Sequence, residues 1–163
     1  MDCMKRTYLV GEAALIASME RDTLRVWLRR SYFDFDRPEG WKRFTFLEVM
    51  AISVFAEVVR RTKDHELAKW IAVKEMGHWC SPGRFPAAEC FVEFWRDESE
   101  KLWCEVIEGS NRMLDIANSA IRTESYDTMA YGFINLSAIR NKAIERMNAY
   151  AEGRLGEDGK MQP

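Results

Sequence analysis

Tyr8-Leu-Val-Gly-Glu-Ala-Ala-Leu-Ile-Ala-Ser-Met-Glu-Arg-Asp-Thr-Leu-Arg25 is the stretch on which the fold turns. Residues 10–17 are Ala-rich and helix-compatible, and their small side chains let a second helix approach closely. A new element begins at Asp22 or Arg21. Asp22 is the better cap, because its carboxylate can accept a hydrogen bond from an N–H of the first turn. Leu24, Trp27 and Leu28 then recur at i, i+3 and i+4 and form one apolar face. Arg25 and Arg29 fall on the opposite side, one turn apart, with Arg30 beside them. The pattern predicts two short helices meeting at a turn, the second with a cationic outer face.

Working outward, residues 33–43 read Phe-Asp-Phe-Asp-Arg-Pro-Glu-Gly-Trp-Lys-Arg. A Pro-Glu-Gly turn between two extended segments predicts a small β-hairpin, a wing that carries Arg37, Lys42 and Arg43. Thr45 starts a strong helix, and Glu48 three residues later completes a capping-box pattern. Phe46, Val49, Met50, Ser53, Val54 and Val58 continue it to about Arg61. Residues 65–78 form a further predicted helix with a mixed apolar face (Leu67, Trp70, Ile71, Lys74, Met76). Ser81-Pro-Gly83 and Pro86 then break the chain, which places a hinge there.

The C-terminal half changes period. Cys90-Phe-Val-Glu-Phe-Trp95 and Lys101-Leu-Trp-Cys-Glu-Val-Ile107 are both β-like, and the polar turn between them completes a hairpin signature. Residues 111–122 suit helix or strand. Met129–Leu136 reads as a third strand. Ser137 can cap a final helix to about Ala151, with Ile139, Ala143, Ile144 and Met147 along one side. From Gly153 the tail is polar and expected to fray. The fold class is therefore mostly α with a small β component. The expected domains are a winged-helix head at 1–78, a small α+β dimerisation or effector domain at 84–152 ending in a helix, and a flexible tail at 153–163.

Composition narrows the function. The net charge is −2, but residues 1–63 hold 12 Lys/Arg against 9 Asp/Glu, whereas 64–163 hold 12 against 17. A weakly basic front and an acidic back suit a nucleic-acid-binding head on a body that does not bind it. No apolar run approaches the roughly 20 residues that cross a bilayer, and no secretion signal opens the chain. A cytoplasmic location with reduced thiols at Cys3, Cys80, Cys90 and Cys104 is the expectation.

The segment Tyr8–Arg25 resembles, without a gap, the opening of MerR-type regulators: a Gly-Glu-Leu-Ala helix, a turn, and a Thr-Leu-Arg helix. Gly40-Trp-Lys-Arg-Phe-Thr45 is similar to that family's wing exit, Gly-Tyr-Arg-x-Tyr-Ser. The likeness covers roughly the first 60–75 residues, the length of one recognition module. It implies that Thr23 and Arg25 lie on the major-groove face. It also implies that Arg37 and Lys42 reach the backbone or minor groove from the wing, and that Trp41 and Phe44 anchor the wing on the core. Three departures stand out. Ser18-Met19 replaces the family's Gly-Val, so a less tight turn is expected. Val26-Trp27 replaces Tyr-Tyr. The family's long antiparallel dimerisation helix is not evident after the fourth helix.

These readings combine into a sequence-specific transcriptional regulator that docks helix 22–30 in the major groove of double-stranded DNA. Arg21, Thr23, Arg25, Arg29, Arg30, Arg37, Lys42 and Arg43 form the expected DNA-binding set, presented as a homodimer. The strand at 129–136 and the helix at 137–151 are a candidate dimer surface. Two alternatives stay open: a protein–protein adaptor with a degenerate head, and a small-ligand sensor. The sensor would use the aromatic back half (Trp70, Trp79, Trp95, Trp103, Phe91, Phe94, Tyr131, Phe133), which reads more simply as core or dimer seam. A small-molecule effector has no motif behind it. His78, Cys80, Cys90 and Cys104 match no zinc spacing, so no metal or cofactor is expected. His65 and His78 lack a nucleophile motif, and Glu89, Glu93 and Glu105 alternate as solvent-facing strand residues, so no enzyme activity and no catalytic residue are expected.

Overall fold

The capping box at Thr45 opens the helix on which the first unit is built. Thr45 Oγ1 accepts from the Glu48 N–H, and Glu48 Oε2 accepts from the Thr45 N–H at 2.6 Å. The helix that follows, α3 (Phe46–Thr62), is buried at every position from Val49 to Val58. A helix covered on all sides belongs at the centre of a packed unit. The computed structural model describes residues 5–33, 35, 43–74, 90–97, 99–108, 130–156 and 158–162, and the fold is mixed α+β, mostly helical.

The chain forms β1 (Tyr8–Leu9), α1 (Val10–Ile16), α2 (Arg21–Arg29) and β2 (Arg43–Phe44) before α3, and α4 (His65–Lys69) after it. Asp64 caps α4 by accepting from the Leu67 N–H at 2.9 Å. The helix expected over 65–78 is regular only to Lys69. It then widens into a π-helical turn at Trp70–Lys74, and its remainder lies outside the described residues. Aromatic rings fill the space beside α3: Phe55 meets Trp27 edge-on at 4.7 Å and Phe33 at 4.9 Å, and Tyr32 stacks on His65.

β2 pairs antiparallel with β1 in the register Tyr8↔Phe44 and Leu9↔Arg43. The exit of the expected wing is therefore fastened to the start of the chain. Phe44 is buried, and Phe35 stacks on Phe33 at 5.3 Å. The Pro38-Glu39-Gly40 turn, with Arg37, Trp41 and Lys42, lies outside the described residues, as do the hinge at 81–86 and the segment 111–122.

Among its described residues the second unit holds a three-stranded antiparallel sheet in the order β4-β3-β5, from β3 (Cys90–Arg96), β4 (Leu102–Glu108) and β5 (Ala130–Asn135). Phe94 faces Cys104 on one side and Gly132 on the other. A Cβ at Gly132 would stand 2.5 Å from the Phe94 ring, so only glycine fits that register. The expectation that Glu93 faces solvent is corrected: Glu93 is buried and Glu105 exposed, while Glu89 lies outside the described residues.

Helix α5 (Leu136–Ala151) follows β5 directly. Asn135 Oδ1, rather than Ser137, caps it, accepting from the Ala138 N–H at 2.8 Å. Ser137 Oγ instead accepts from the Cys90 N–H at 2.7 Å and ties the start of β3. The chain divides into two compact units, 1–77 with 139–163, and 78–138. Most of α5 therefore belongs with the N-terminal helices, where the sequence placed 84–152 in one body. The tail is also corrected. Leu155 is buried and bridges to Met161, and the Gln162 N–H donates to the Arg154 carbonyl at 2.8 Å. Gly153 and Gly159, both at positive φ, let this short hairpin turn.

Candidate functional site

Helix α2 is amphipathic as its spacing demands. Leu24 and Trp27 are buried and Leu28 is half-buried, whereas Arg21, Asp22, Thr23, Arg25, Arg29 and Arg30 are all exposed. Arg21, Arg25 and Arg29 follow at intervals of four, about 6 Å apart along the axis, and so form a cationic ridge. Arg21, Arg29 and Arg30 have no hydrogen-bond or ion-pair partner among the described residues. Arg25 donates to Asp22 Oδ1 at 3.0 Å. The helix start is corrected: Glu20 is the N-cap and makes no side-chain cap bond, so Asp22 lies inside the first turn and turns its carboxylate to Arg25.

The turn before α2 is tight despite lacking glycine. Ser18 takes the left-handed conformation (φ 54°). Its N–H donates to the Leu15 carbonyl and the Met19 N–H to the Ala14 carbonyl, which closes α1 with paired C-terminal bonds. Ser31 ends α2 the same way, at φ 54°. The expected loosening does not occur, because the surrounding bonds hold a residue type that disfavours this region.

Those surrounding bonds come from far along the chain. Arg146 on α5 donates to the Ile16 carbonyl at 2.6 Å and to the Leu15 carbonyl at 2.7 Å, and Arg60 on α3 donates to the Ser18 carbonyl at 3.2 Å. The Leu15 and Ile16 carbonyls at the negative end of α1, and the Ser18 carbonyl in the turn after it, thus meet two guanidiniums. Burial and the nearby charge of Arg60 lower the Arg146 pKa. Burial pushes the Glu57 carboxyl up, but the Arg61 hydrogen bond and the charges of Arg60, Lys142 and Arg61 outweigh it and hold it low. Glu57 pairs with both Arg60 and Arg61. At the other end of α1, Glu12 accepts from the Leu9 N–H and from the Tyr150 hydroxyl, each at 2.6 Å. Burial and that bond raise the Tyr150 pKa. Arg6 lies over the Tyr150 ring at 4.9 Å.

These side chains do not touch the outer face of α2. They fix both ends of α1, against which α2 packs. The sequence reading missed all of them except as members of helices. Partners 130 residues apart leave no local spacing to read. The buried side of α5, with Ile139, Ala143 and Met147, packs within its own chain, so that side is occupied before any dimer forms.

Of the remaining expected site residues, Arg43 is exposed on β2 and donates to the Thr7 carbonyl and Oγ1. Arg37 and Lys42 lie outside the described residues. In the sheet unit the Trp95 and Trp103 rings run parallel at 6.4 Å, with Lys101 over Trp103. Asp97 organises the hairpin tip. Its oxygens accept from the Ser99 N–H and hydroxyl, the Lys101 N–H and the Trp103 indole, and these bonds hold its carboxyl at about 2. No group of three metal-ligating side chains converges among the described residues, and no helix among them is long and apolar enough to cross a membrane. No protein-family model matches the chain, and no curated protein sequence matches it.

Proposed function

We propose that this protein is a sequence-specific, double-stranded-DNA-binding transcriptional regulator. Its head acts as a winged helix-turn-helix similar to that of MerR-type regulators. The observation that carries the reading is the outer face of α2: three exposed arginines and a threonine, with a fourth exposed arginine at the C-cap, on a helix whose opposite face is seated on α1 and, through Trp27, on Phe55 of α3.

An α-helix with side chains is about 10–12 Å across and enters the major groove, which is about 12 Å wide. Guanidinium groups along that helix displace condensed counterions from phosphates, and a planar fork can bond guanine O6 and N7 together. Arg43 adds a cation where the wing rejoins the head, and Arg37 and Lys42 extend the charge by sequence. One head supplies roughly six such contacts, so a two-fold pair of heads on a two-fold site completes the affinity. The dimer uses a surface other than the buried side of α5.

Retention of the purified protein on random duplex DNA, followed across a salt series, tests the reading. Binding that falls steeply and linearly in log–log form supports it. Absence of binding at low salt removes it and favours an adaptor with a degenerate head.

A further inference from the structure

The carboxylate of Asp22 is out of place on a face built to meet phosphates. It is 87% exposed, stands in the first turn of α2 between Arg21 and Thr23, and repels the same polyanion its neighbours attract. It does not cap the helix, since Glu20 occupies that position and the backbone N–H groups receive no side-chain bond there. Its one described contact is Arg25 Nη1, at 3.0 Å and three residues on, and the Arg25 side chain is 48% exposed. An ion pair this open contributes little to folding.

We propose that Asp22 is a specificity-determining residue of the α2 surface, holding the Arg25 guanidinium in one orientation so that its fork meets a guanine edge. The inference rests on the DNA-binding reading above and deepens it. An arginine on a flexible stem satisfies itself on any phosphate and carries no sequence information. Arg25 has five N–H donors, and Asp22 takes one. The planar group is then anchored at one end, and two of its four remaining donors supply the parallel pair that matches the O6 and N7 acceptors of guanine. Asp22 also repels the phosphates at every site, and only a site where Arg25 reaches a guanine offsets that cost. Attraction for the right base and a penalty elsewhere together make discrimination larger than affinity alone provides.

The test uses the full chain. Sites selected by the parent from a random-core duplex library identify a preferred duplex. Fluorescence anisotropy then compares that duplex with a scrambled one of equal length at one salt concentration. Asp22→Ala is expected to bind the scrambled duplex as tightly as the parent or tighter, and the preferred duplex more weakly. The ratio of the two affinities should fall about tenfold, the scale of one bidentate base contact. Arg25→Lys keeps the charge, loses the fork and should lose the same ratio. The double variant should lose no more than either single one. An unchanged ratio in Asp22→Ala, or additive losses in the double variant, overturns the role of Asp22 while leaving DNA binding intact. A parent that retains no duplex overturns the proposed function and this role with it. Thermal unfolding of each variant separates these outcomes from misfolding, because a purely structural pair moves the midpoint and leaves the ratio alone.

Discussion

Two sets of arginines lie in the first unit and are used in opposite ways. Arg21, Arg25, Arg29 and Arg30 stand on the outside of α2, and only Arg25 has a described polar partner, one turn away. Arg60, Arg61 and Arg146 spend their donors on acceptors of their own unit, Glu57 and the carbonyls at and just after the end of α1, although Arg60 and Arg61 are themselves exposed. The chemistry of the group is identical. What differs is whether an acceptor already lies within reach. Guanidiniums satisfied by their own chain stabilise the head, and guanidiniums left exposed are available to an external polyanion. Substitutions in the two sets should therefore separate stability from binding.

The largest effect is expected at the inner set. Arg146→Met leaves the Ile16 carbonyl without its charged donor and should destabilise the chain by about 2–3 kcal/mol, the scale of hydrogen bonds to a charged group. Chemical denaturation reads this directly, and an unchanged midpoint would show that the end of α1 does not depend on α5. At the outer set, Arg25→Ala should weaken the preferred duplex by about 1–3 kcal/mol. The unfolding midpoint should correspond to a change within about 0.5 kcal/mol. A large loss of stability here would erase the distinction between the two sets.

The turn that joins them offers a smaller probe. Ser18 holds a positive φ that glycine adopts without strain. Ser18→Gly should stabilise the chain by about 0.5–1 kcal/mol, if the Arg60 bond to the residue's carbonyl persists. Destabilisation instead would mean that the serine side chain makes a contact essential to the turn. The smallest effect concerns the sheet unit, outside both sets. Asp97 has its carboxyl at about 2, below the ordinary value of 3.8, because Ser99, Trp103 and Lys101 bond its charged form. A depressed carboxyl stabilises the fold above its unfolded pKa, and that contribution is lost as pH falls from about 4 towards 2. The indole N–H resonance of Trp103 should shift through this range in an NMR titration. A midpoint near 4 would break the assignment of Asp97 as the hub of the tip.

Local periodicity made much of this legible. The amphipathic split of α2, the capping box at Thr45, and the strands near 90–96, 102–108 and 130–135 all follow from residues within a few positions of one another. The caps of α2 and α5 differ from the expected ones for a common reason. A carboxylate or hydroxyl at the right spacing is a candidate cap, but Asp22 found Arg25 and Ser137 found the Cys90 N–H first. The tail is polar in composition, and only the burial of Leu155 shows why it folds back.

The amino-acid order by itself determined which face of each helix is apolar and which residues stand on the other side, because hydrophobic burial acts through a fixed helical repeat. It could not determine that β1 would receive β2, or that the last helix would return to hold the first by Arg146 and Tyr150. Those pairings depend on which acceptors remain unsatisfied after the helices pack, and that is decided only when distant parts of the chain meet.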